Sequence, residues 1–306
     1  MDIKDQLVTD YFAAYNGDCC EVIQSLPDHS VDLSVFSPPF ADLYCYSDDD
    51  RDMGNCRSYD EFFDHFKFLI DELIRVIKPG RLCAVHAMDI PAMKERDGYI
   101  GVKDFTGDII RHFSDSGFIY HGRTVIWKDP LIEATRTKAI GLMHKQLCKD
   151  SAMSRPGLPD YLLLFRVPGE NKVPVAHPDG LTHYCGKDRP TSTGEKFSHE
   201  TWRSYASPVW MDIRQTRTIE TKMARDPKDE KHVCPLQLDV IERVCVLYSN
   251  PGETVFTPFM GVGSEVYGAI VNDRRGIGIE LKESYYRQAV KNLKTAVESG
   301  REALLF

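Results

Sequence analysis

The four residues of this sequence best suited to chemistry are a serine, two consecutive prolines and a phenylalanine. They form Ser37-Pro38-Pro39-Phe40, directly after the apolar run 31–36, which predicts a short buried strand. Each proline fixes its own φ and has no backbone N–H, and the residue before it is disfavoured in helical space. The result is a stiff, extended corner with carbonyl acceptors and an aromatic surface, which suits a flat ligand that carries an NH2 group. An ordinary strand-to-loop turn is the alternative, and these four residues do not decide between the two.

A glycine-bearing turn late in the chain could bind a nucleoside. Gly261 and Gly263 follow a predicted strand at 254–256, and the next predicted strand, 276–280, ends at Glu280. Backbone can approach a ligand closely at such glycines, and a carboxylate at the end of the second strand can accept hydrogen bonds from ribose hydroxyls. The turn lacks the third glycine of the dinucleotide fingerprint, and the sequence contains no Gly-Lys-Ser/Thr phosphate loop. A nucleoside without phosphates is therefore the favoured ligand.

Strands and helices alternate around these two groups of residues. A helix is predicted to begin after Ser58, which is in the N-cap position with Glu61 in the capping-box position. Its apolar residues recur at helical spacing up to Ile77, and Lys78-Pro79-Gly80 is predicted to end it. The alternation as a whole predicts an α/β fold with a largely parallel sheet that is covered by helices on both faces.

The alternation fails in two places. Residues 131–159 concentrate basic side chains, and residues 171–231 are polar and irregular apart from the aromatic residues Trp202, Tyr205 and Trp210. Long insertions of this kind are usually binding regions or dimer arms. We expect the three aromatic residues to form a small core rather than a partner surface.

Charge and composition set broad limits on function. The 306 residues carry a net charge of −8, so the protein is not basic throughout, and 42% of them are hydrophobic, which is ample for a large core. From Arg123 to Lys231 there are 19 Lys and Arg against 14 Asp and Glu, and the remaining residues have 19 against 32. A mildly basic middle within an acidic frame is compatible with local contact to a polyanion and also with an ordinary solvated insertion.

Cysteine usage and the N-terminus predict the compartment. The nine cysteines are scattered without a Cys-x-x-Cys spacing, so neither a disulfide framework nor a zinc site is predicted. No apolar run approaches the ~20 residues needed to cross a bilayer, and the charged N-terminus lacks the apolar core of a signal peptide. We expect a cytoplasmic protein without membrane or metal partners.

Both groups of residues, with their flanks, resemble bacterial DNA amino-methyltransferases that modify cytosine N4 or adenine N6. In the first half the similarity lies in Asn16-Gly17-Asp18, Leu26-Pro27-Asp28, Val31-Asp32-Leu33 and Ser37-Pro38-Pro39-Phe40. In the second half it lies in residues 232–237, 248–255 and 258–263. The catalytic half comes first, which matches the permuted β-class order of motifs. The resemblance covers about residues 14–130, 160–168 and 231–297.

The resemblance implies a Rossmann-like S-adenosylmethionine-dependent methyltransferase fold with a mostly parallel seven-stranded sheet and an inserted target-recognition region. It also implies a division of the chain. The expected parts are a catalytic half at 14–130, an insertion for DNA contact at 131–159, a sheet strand at 160–168, the target-recognition region at 169–230 and the S-adenosylmethionine-binding half at 231–306.

The resemblance also assigns roles to residues. The catalytic residues would be Ser37, Pro38, Pro39 and Phe40, which handle the target base. The residues that bind the cofactor S-adenosyl-L-methionine would be Asp18 at the adenine, Glu280 at the ribose, and Phe259, Gly261, Gly263 and Ser264 around the remainder. The family usually has Asp where this chain has Thr257, so one contact to the methionine ammonium is missing, and Ser37 or a neighbour would have to replace it.

The first residue of the corner bears on the target base. In the family Asp at this place goes with adenine N6 and Ser more often with cytosine N4, so Ser37 favours cytosine N4 in double-stranded DNA, with adenine N6 as the alternative. In a further alternative, the protein uses the same cofactor but methylates RNA or a small molecule. In another, it is a regulator that binds DNA without catalysis, and Thr257 is the only feature that favours this alternative. Because many relatives pair, a homodimer is also expected from the resemblance.

Overall fold

Alternating strands and helices fill the computed structural model, which describes residues 3–40, 51–56, 58–92, 94–137, 142–177, 181, 197–221 and 235–303. The strands are β1 (Asp5–Val8), β2 (Phe12–Asn16), β3 (Val31–Phe36), β4 (Ile77–Ala87), β5 (Ile90–Ala92), β6 (Gly101–Lys103), β7 (Ile119–Ile126), β8 (Asp160–Arg166), β9 (Val209–Trp210), β10 (Thr254–Thr257) and β11 (Arg275–Glu280). The helices are α1 (Cys19–Val22), α2 (Tyr59–Val76), α3 (Lys94–Asp97), α4 (Phe105–Asp115), α5 (Pro130–Thr137), α6 (His144–Lys149), α7 (Phe197–Tyr205), α8 (Leu238–Tyr248), α9 (Ser264–Val271) and α10 (Glu283–Ala303). Among the helices of these ranges, none combines the length and the apolar character needed to cross a membrane.

Nine strands of the described residues form one sheet, in the order β1-β2-β11-β10-β3-β4-β8-β7-β9. Strands β2, β11, β10, β3 and β4 run parallel to one another, and β8 runs antiparallel to both β4 and β7. These seven strands are the mostly parallel sheet expected from the sequence. The short strands β1 and β9 extend it at the two edges and are additions to that expectation. Very short edge strands leave few open backbone groups to pair with another chain.

Helices cover both faces of the sheet, as predicted. On one face α2 and α4 pack against β4 and β8, and on the other α8 packs against β3 and β4. The side chains of β8 alternate between the two cores, with Leu163 and Phe165 in the first and Leu162 and Leu164 in the second. All six residues of β3, the central strand, are buried, and its two polar side chains have partners, Lys78 for Asp32 and the Phe256 carbonyl for Ser34.

The two ends of α2 test the capping and proline signals. Ser58 Oγ accepts a hydrogen bond from the Glu61 amide at 3.1 Å, so the predicted N-cap is confirmed. The predicted C-terminus is wrong, because the helix ends at Val76 and Ile77 already begins β4. Pro79 has no N–H to continue the helix and disfavours helical backbone at the residue before it, so the chain becomes extended two residues earlier.

The inserted regions contain more regular structure than their sequence indicates. Helices α5 and α6 lie within the first region, and the second contributes β9 to the sheet. Trp210 is 1% exposed and Trp202 is 59% exposed, so the predicted aromatic core is wrong for Trp202. The Arg243 guanidinium lies 4.9 Å from the ring centroid of Tyr205 and 5.1 Å from that of Trp210, which completes this small cluster without a third ring.

Ion pairs attach the end of the second inserted region to α8. The Asp239 carboxylate accepts hydrogen bonds from Arg214 Nη2 and Arg217 Nη1 at 2.7 Å each. Burial opposes ionisation of Asp239, but these two guanidinium groups outweigh it and hold the pKa at about 2. The described end of this region is therefore attached to α8, which packs on the sheet.

Candidate functional site

Parallel strands deliver their carboxyl ends to the same edge of a sheet, and four predicted residues meet there. β2 leads into Asp18, β3 into Ser37 and β10 into Phe259, and β11 ends at Glu280. All four residues line one cavity of about 1190 Å³. The fold thus brings together two groups of residues that lie at opposite ends of the sequence.

The Ser37-Pro38-Pro39-Phe40 corner forms one wall of this cavity. The Phe40 ring centroid lies 6.2 Å from that of Phe105 on α4, and the Phe36 centroid lies 5.7 Å from that of Phe259. Aromatic contacts on either side hold the corner against the sheet. The corner is therefore part of the cavity wall, and its role in holding a base stays a prediction.

Ser37 is connected to three polar side chains that the sequence pattern did not reveal. His86 Nδ1 lies 3.3 Å from Ser37 Oγ, and His86 Nε2 lies 3.3 Å from Asp160 Oδ2. Lys128 Nζ contacts the other Asp160 carboxylate oxygen at 2.5 Å. All of these residues line the cavity. We call Ser37, His86, Asp160 and Lys128 the serine network.

Strand order explains why these residues meet. His86 lies near the end of β4, Lys128 follows β7, and Asp160 begins β8, which runs antiparallel between those two strands. The start of β8 is consequently at the sheet edge where β4 and β7 end. In the sequence, the signal that could have found His86 is a polar residue near the end of an apolar strand, which is the signal that identified Glu280.

Asp160 is the anionic member of the serine network. Burial alone would raise the pKa of its carboxyl, but His86 and Lys128 outweigh burial and hold the pKa below its usual value. A carboxylate beside Nε2 favours the tautomer in which Nε2 carries the proton, so that Nδ1 accepts from the Ser37 hydroxyl. The lone pairs of Ser37 Oγ then remain available to a ligand in the cavity.

Glu280 lines the same cavity, and backbone N–H groups hold its carboxylate. Its Oε2 accepts a hydrogen bond from the Gly261 amide and its Oε1 from the Lys282 amide, both at 2.8 Å. Each carboxylate oxygen keeps a second lone pair, with which it can accept a hydroxyl of a ligand. Burial outweighs the two amide hydrogen bonds and raises the pKa of Glu280 to about 7. Donors from a bound ligand would stabilise the ionised form further.

The two glycines of the turn have different roles. Gly261 has a φ of +54° and lines the cavity, and a Cβ there would meet no atom within 4 Å. Gly263, with a φ of +96°, begins α9, and a Cβ there would come within 3.3 Å of Ala289 on α10. Of the predicted cofactor-binding residues, the structure places Asp18, Phe259, Gly261, Ser264 and Glu280 on the cavity wall. Gly263 is absent from the described residues that line the cavity and instead allows two helices to pack closely.

Asp18 reaches the cavity as the N-cap of α1, where its Oδ1 accepts from the Glu21 amide at 3.1 Å. The side chains of Asp18, Cys19 and Cys20 place three atoms of the kinds that bind metals within 4.8 Å of one another. A hydrogen bond with Cys20 and burial raise the pKa of the Cys19 thiol well above its usual value. A protonated buried thiol behaves as a small apolar residue rather than as a metal ligand.

The inserted regions border the cavity. From the first region the lining residues are Ile132, Glu133, Gln146, Ala152, Met153, Ser154 and Arg155, and from the second Gln215. Parts of both regions, residues 138–141, 178–180, 182–196 and 222–230, lie outside the described residues. The predicted DNA contacts of those parts stay predictions, and the described parts place polar and apolar side chains beside the cavity.

A family model described as a DNA methylase matches residues 31–291 of this chain. The Type II methyltransferase M.BamHI of Bacillus amyloliquefaciens is 24% identical to it over 92% of this chain. That match covers 57% of M.BamHI, so the chain spans less than two thirds of the length of this relative.

Solved structures share the fold. The Thermus thermophilus protein TTHA0409, in complex with S-adenosyl-L-methionine, superposes with a TM-score of 0.63 at 22% identity, covering 94% of each chain. The PvuII DNA methyltransferase, described as cytosine-N4-specific, superposes with a TM-score of 0.63 at 16% identity, covering 98% of this chain and 95% of its own. The Rossmann-like methyltransferase fold predicted from the sequence is confirmed.

Proposed function

Because this chain belongs to the DNA methylase family, which comprises S-adenosylmethionine-dependent amino-methyltransferases, we propose that it methylates an exocyclic amino group in double-stranded DNA. The acceptor we propose is cytosine N4 of a base that is flipped out of the duplex. One observation carries the proposal, namely that Ser37 of the corner and Glu280 of the glycine half line the same cavity.

The glycine half fits S-adenosyl-L-methionine on its own geometry. The space above Gly261 admits a ligand against the backbone, and the remaining lone pairs of Glu280 accept the ribose hydroxyls. Asp18 lies at the end of the neighbouring parallel strand, where the adenine is expected. When bound, the cofactor supplies an electrophilic methyl group on a sulfonium.

The corner activates the acceptor nitrogen. An exocyclic amino group is a poor nucleophile because its lone pair is delocalised into the base. Ser37 Oγ and the Pro38 carbonyl accept its two N–H bonds and favour a pyramidal nitrogen, while Phe40 stacks on the base. The nitrogen forms a bond to the methyl carbon as the carbon–sulfur bond breaks, and both electrons of that bond stay on sulfur. Most of the rate enhancement comes from positioning and electrostatics.

The serine network takes up the proton that methylation leaves on the nitrogen. Ser37 Oγ accepts this proton while its own hydroxyl proton passes to His86 Nδ1, so that the serine is unchanged and the ring becomes cationic. Asp160 faces the other ring nitrogen and stabilises the positive charge.

Asp160→Asn is expected to lower turnover about tenfold or more, since an uncharged amide neither enforces the Nε2 tautomer nor stabilises the cationic ring. The measurement is turnover at saturating cofactor and DNA, together with the affinity for S-adenosylhomocysteine, which should not change.

Asp32→Asn is the matched control for this variant. Asp32 is also a buried aspartate paired with a lysine, Lys78, at 2.5 Å, but it lies near the start of β3, at the far end of the sheet. It should change stability and leave turnover intact. Unchanged turnover in Asp160→Asn would assign the serine network a structural role only.

The inserted regions are the proposed DNA-binding surface, with residues 169–230 reading the target sequence. Basic side chains of residues 131–159 contact phosphate groups and set affinity, while polar side chains read base edges. Flipping the target base costs a few kcal/mol, which these contacts have to offset. The position of Arg155 supports this arrangement, because the first inserted region places this cation, paired with Glu133 at 3.3 Å, on the wall of the cavity.

Product analysis tests the proposal. Plasmid DNA is incubated with the protein and cofactor labelled in the methyl group, and the digested nucleosides are separated by chromatography. We expect the label in N4-methylcytosine. Label in N6-methyladenine would refute the cytosine assignment, and DNA binding without transfer would refute the enzymatic one.

A further inference from the structure

Glu265 is a buried carboxyl on the cavity wall to which neither the sequence nor the family resemblance assigns a role. It lies in the first turn of α9, next to the glycine turn, and is 4% exposed. Its interior position is unusual for an acid, since buried carboxylates are normally paired with a cation or bound by several donors.

The described part of the chain offers Glu265 no positive partner. Burial, opposed only in part by a hydrogen bond from the backbone N–H of residue 265 and assisted by the second acid Glu280, raises the pKa of Glu265 to about 8. The N-terminus of α9 favours a negative charge by its dipole, but only in part. Glu265 is therefore a buried carboxyl on the cavity wall that lacks a matching cation within the described residues, and the partly exposed Glu280 adds a second negative charge to the same cavity.

A cationic ligand would supply the positive charge that Glu265 lacks. S-adenosyl-L-methionine carries two cationic groups, the sulfonium and the α-ammonium. Glu280 is already oriented by the Gly261 and Lys282 amides toward hydroxyl donors. An ammonium group has three N–H donors and pairs with a carboxylate through charge-assisted hydrogen bonds.

Thr257 occupies the position at which the family resemblance expects an acid. The residue is fully buried, and its hydroxyl finds no hydrogen-bond partner among the described residues. A threonine cannot supply the negative charge that the family resemblance expects at this position. We propose that Glu265 binds the α-ammonium group of S-adenosyl-L-methionine and so replaces the acid missing at position 257. The inference rests on the proposed placement of the cofactor in this cavity.

Two ligands that differ in the amino group test the inference on the full chain. Calorimetric titration compares S-adenosylhomocysteine with its deamino analogue, in which hydrogen replaces the α-amino group. The unmodified protein should bind S-adenosylhomocysteine tenfold or more tightly than the analogue, because it alone makes the charge-assisted contact. In Glu265→Gln this preference should shrink to about threefold or less, through weaker binding of S-adenosylhomocysteine and unchanged binding of the analogue.

An equal loss of affinity for both ligands in Glu265→Gln would overturn the inference, as would a preference that persists. Glu283→Gln is the matched control, since Glu283 lies in the first turn of α10 with its side chain exposed, and it should keep the full preference. Glu265→Met provides a second variant with an apolar side chain of similar length. Because the preference is a ratio within one protein, partial unfolding cancels, and failure to methylate DNA would not affect it.

Discussion

Ser37→Ala is expected to lower the turnover of DNA methylation about 100-fold while leaving the affinity for S-adenosylhomocysteine unchanged. The variant lacks the oxygen that accepts an amino hydrogen of the target base and that lies 3.3 Å from His86 Nδ1. The residues on the cofactor wall, Gly261 and Glu280, keep their hydrogen bond of 2.8 Å. Single-turnover methylation of a duplex oligonucleotide measures the first quantity and calorimetric titration the second.

Ser34→Ala is the matched control, because it removes a hydroxyl from β3, the strand that leads into Ser37, three residues earlier. Ser34 Oγ donates to the Phe256 carbonyl at 3.1 Å within the sheet, so its loss should cost about 1 kcal/mol of stability and leave turnover intact. Loss of cofactor affinity in Ser37→Ala would contradict the proposed role. It would place Ser37 in the cofactor site, as the substitute for the acid missing at position 257, and would count against Glu265 in that role.

Glu280→Gln is expected to lower the affinity for S-adenosylhomocysteine about 100-fold. The carboxylate accepts one amide N–H on each oxygen, from Gly261 and from Lys282, so a glutamine must turn its NH2 group toward one of these donors. That repulsion acts in the free protein as well, whereas the loss of a charged acceptor for the two ribose hydroxyls removes about 3 kcal/mol of binding free energy, at about 1.5 kcal/mol for each charge-assisted hydrogen bond. Titration with S-adenosylhomocysteine and with its 2′-deoxy analogue measures the effect, and the variant should discriminate less between them.

The stability of Glu280→Gln separates a binding effect from unfolding. Because the pKa of Glu280 is raised to about 7 from the ordinary 4.5, the folded state holds a proton that the unfolded chain releases in that interval. The carboxyl therefore costs folding free energy as the pH rises from about 4.5 to 7, and at higher pH the full cost is present. Thermal unfolding of the variant at pH 8, above this interval by about 1 unit, should occur at an equal or higher temperature. Glu298→Gln, on the exposed side of α10, should change neither affinity nor stability.

Local sequence signals identified most of the elements and both walls of the cavity. The capping pair Ser58 and Glu61, the apolar strand β3 and the glycines around Val262 are each encoded within a few residues, and each is found where it was predicted. Prolines indicated where α2 must stop but not its last residue, since the backbone became extended before Pro79 was reached. The cofactor-binding role of Gly263 stays a prediction, because a glycine needed for helix packing has the same local pattern as one that faces a ligand.

The sequence by itself determined the strand-end residues Ser37 and Glu280, because a polar residue after an apolar strand is visible in one segment and parallel strands share an edge. Only the tertiary structure decided that His86, Asp160 and Lys128 form a network with Ser37. Their contacts require β8 to lie antiparallel between β4 and β7. The tertiary structure likewise decided that Glu265 is a wall residue, because a helical acid can face solvent or a cavity with the same spacing. Strand order and register are set by packing over the whole chain, and no short segment carries that information.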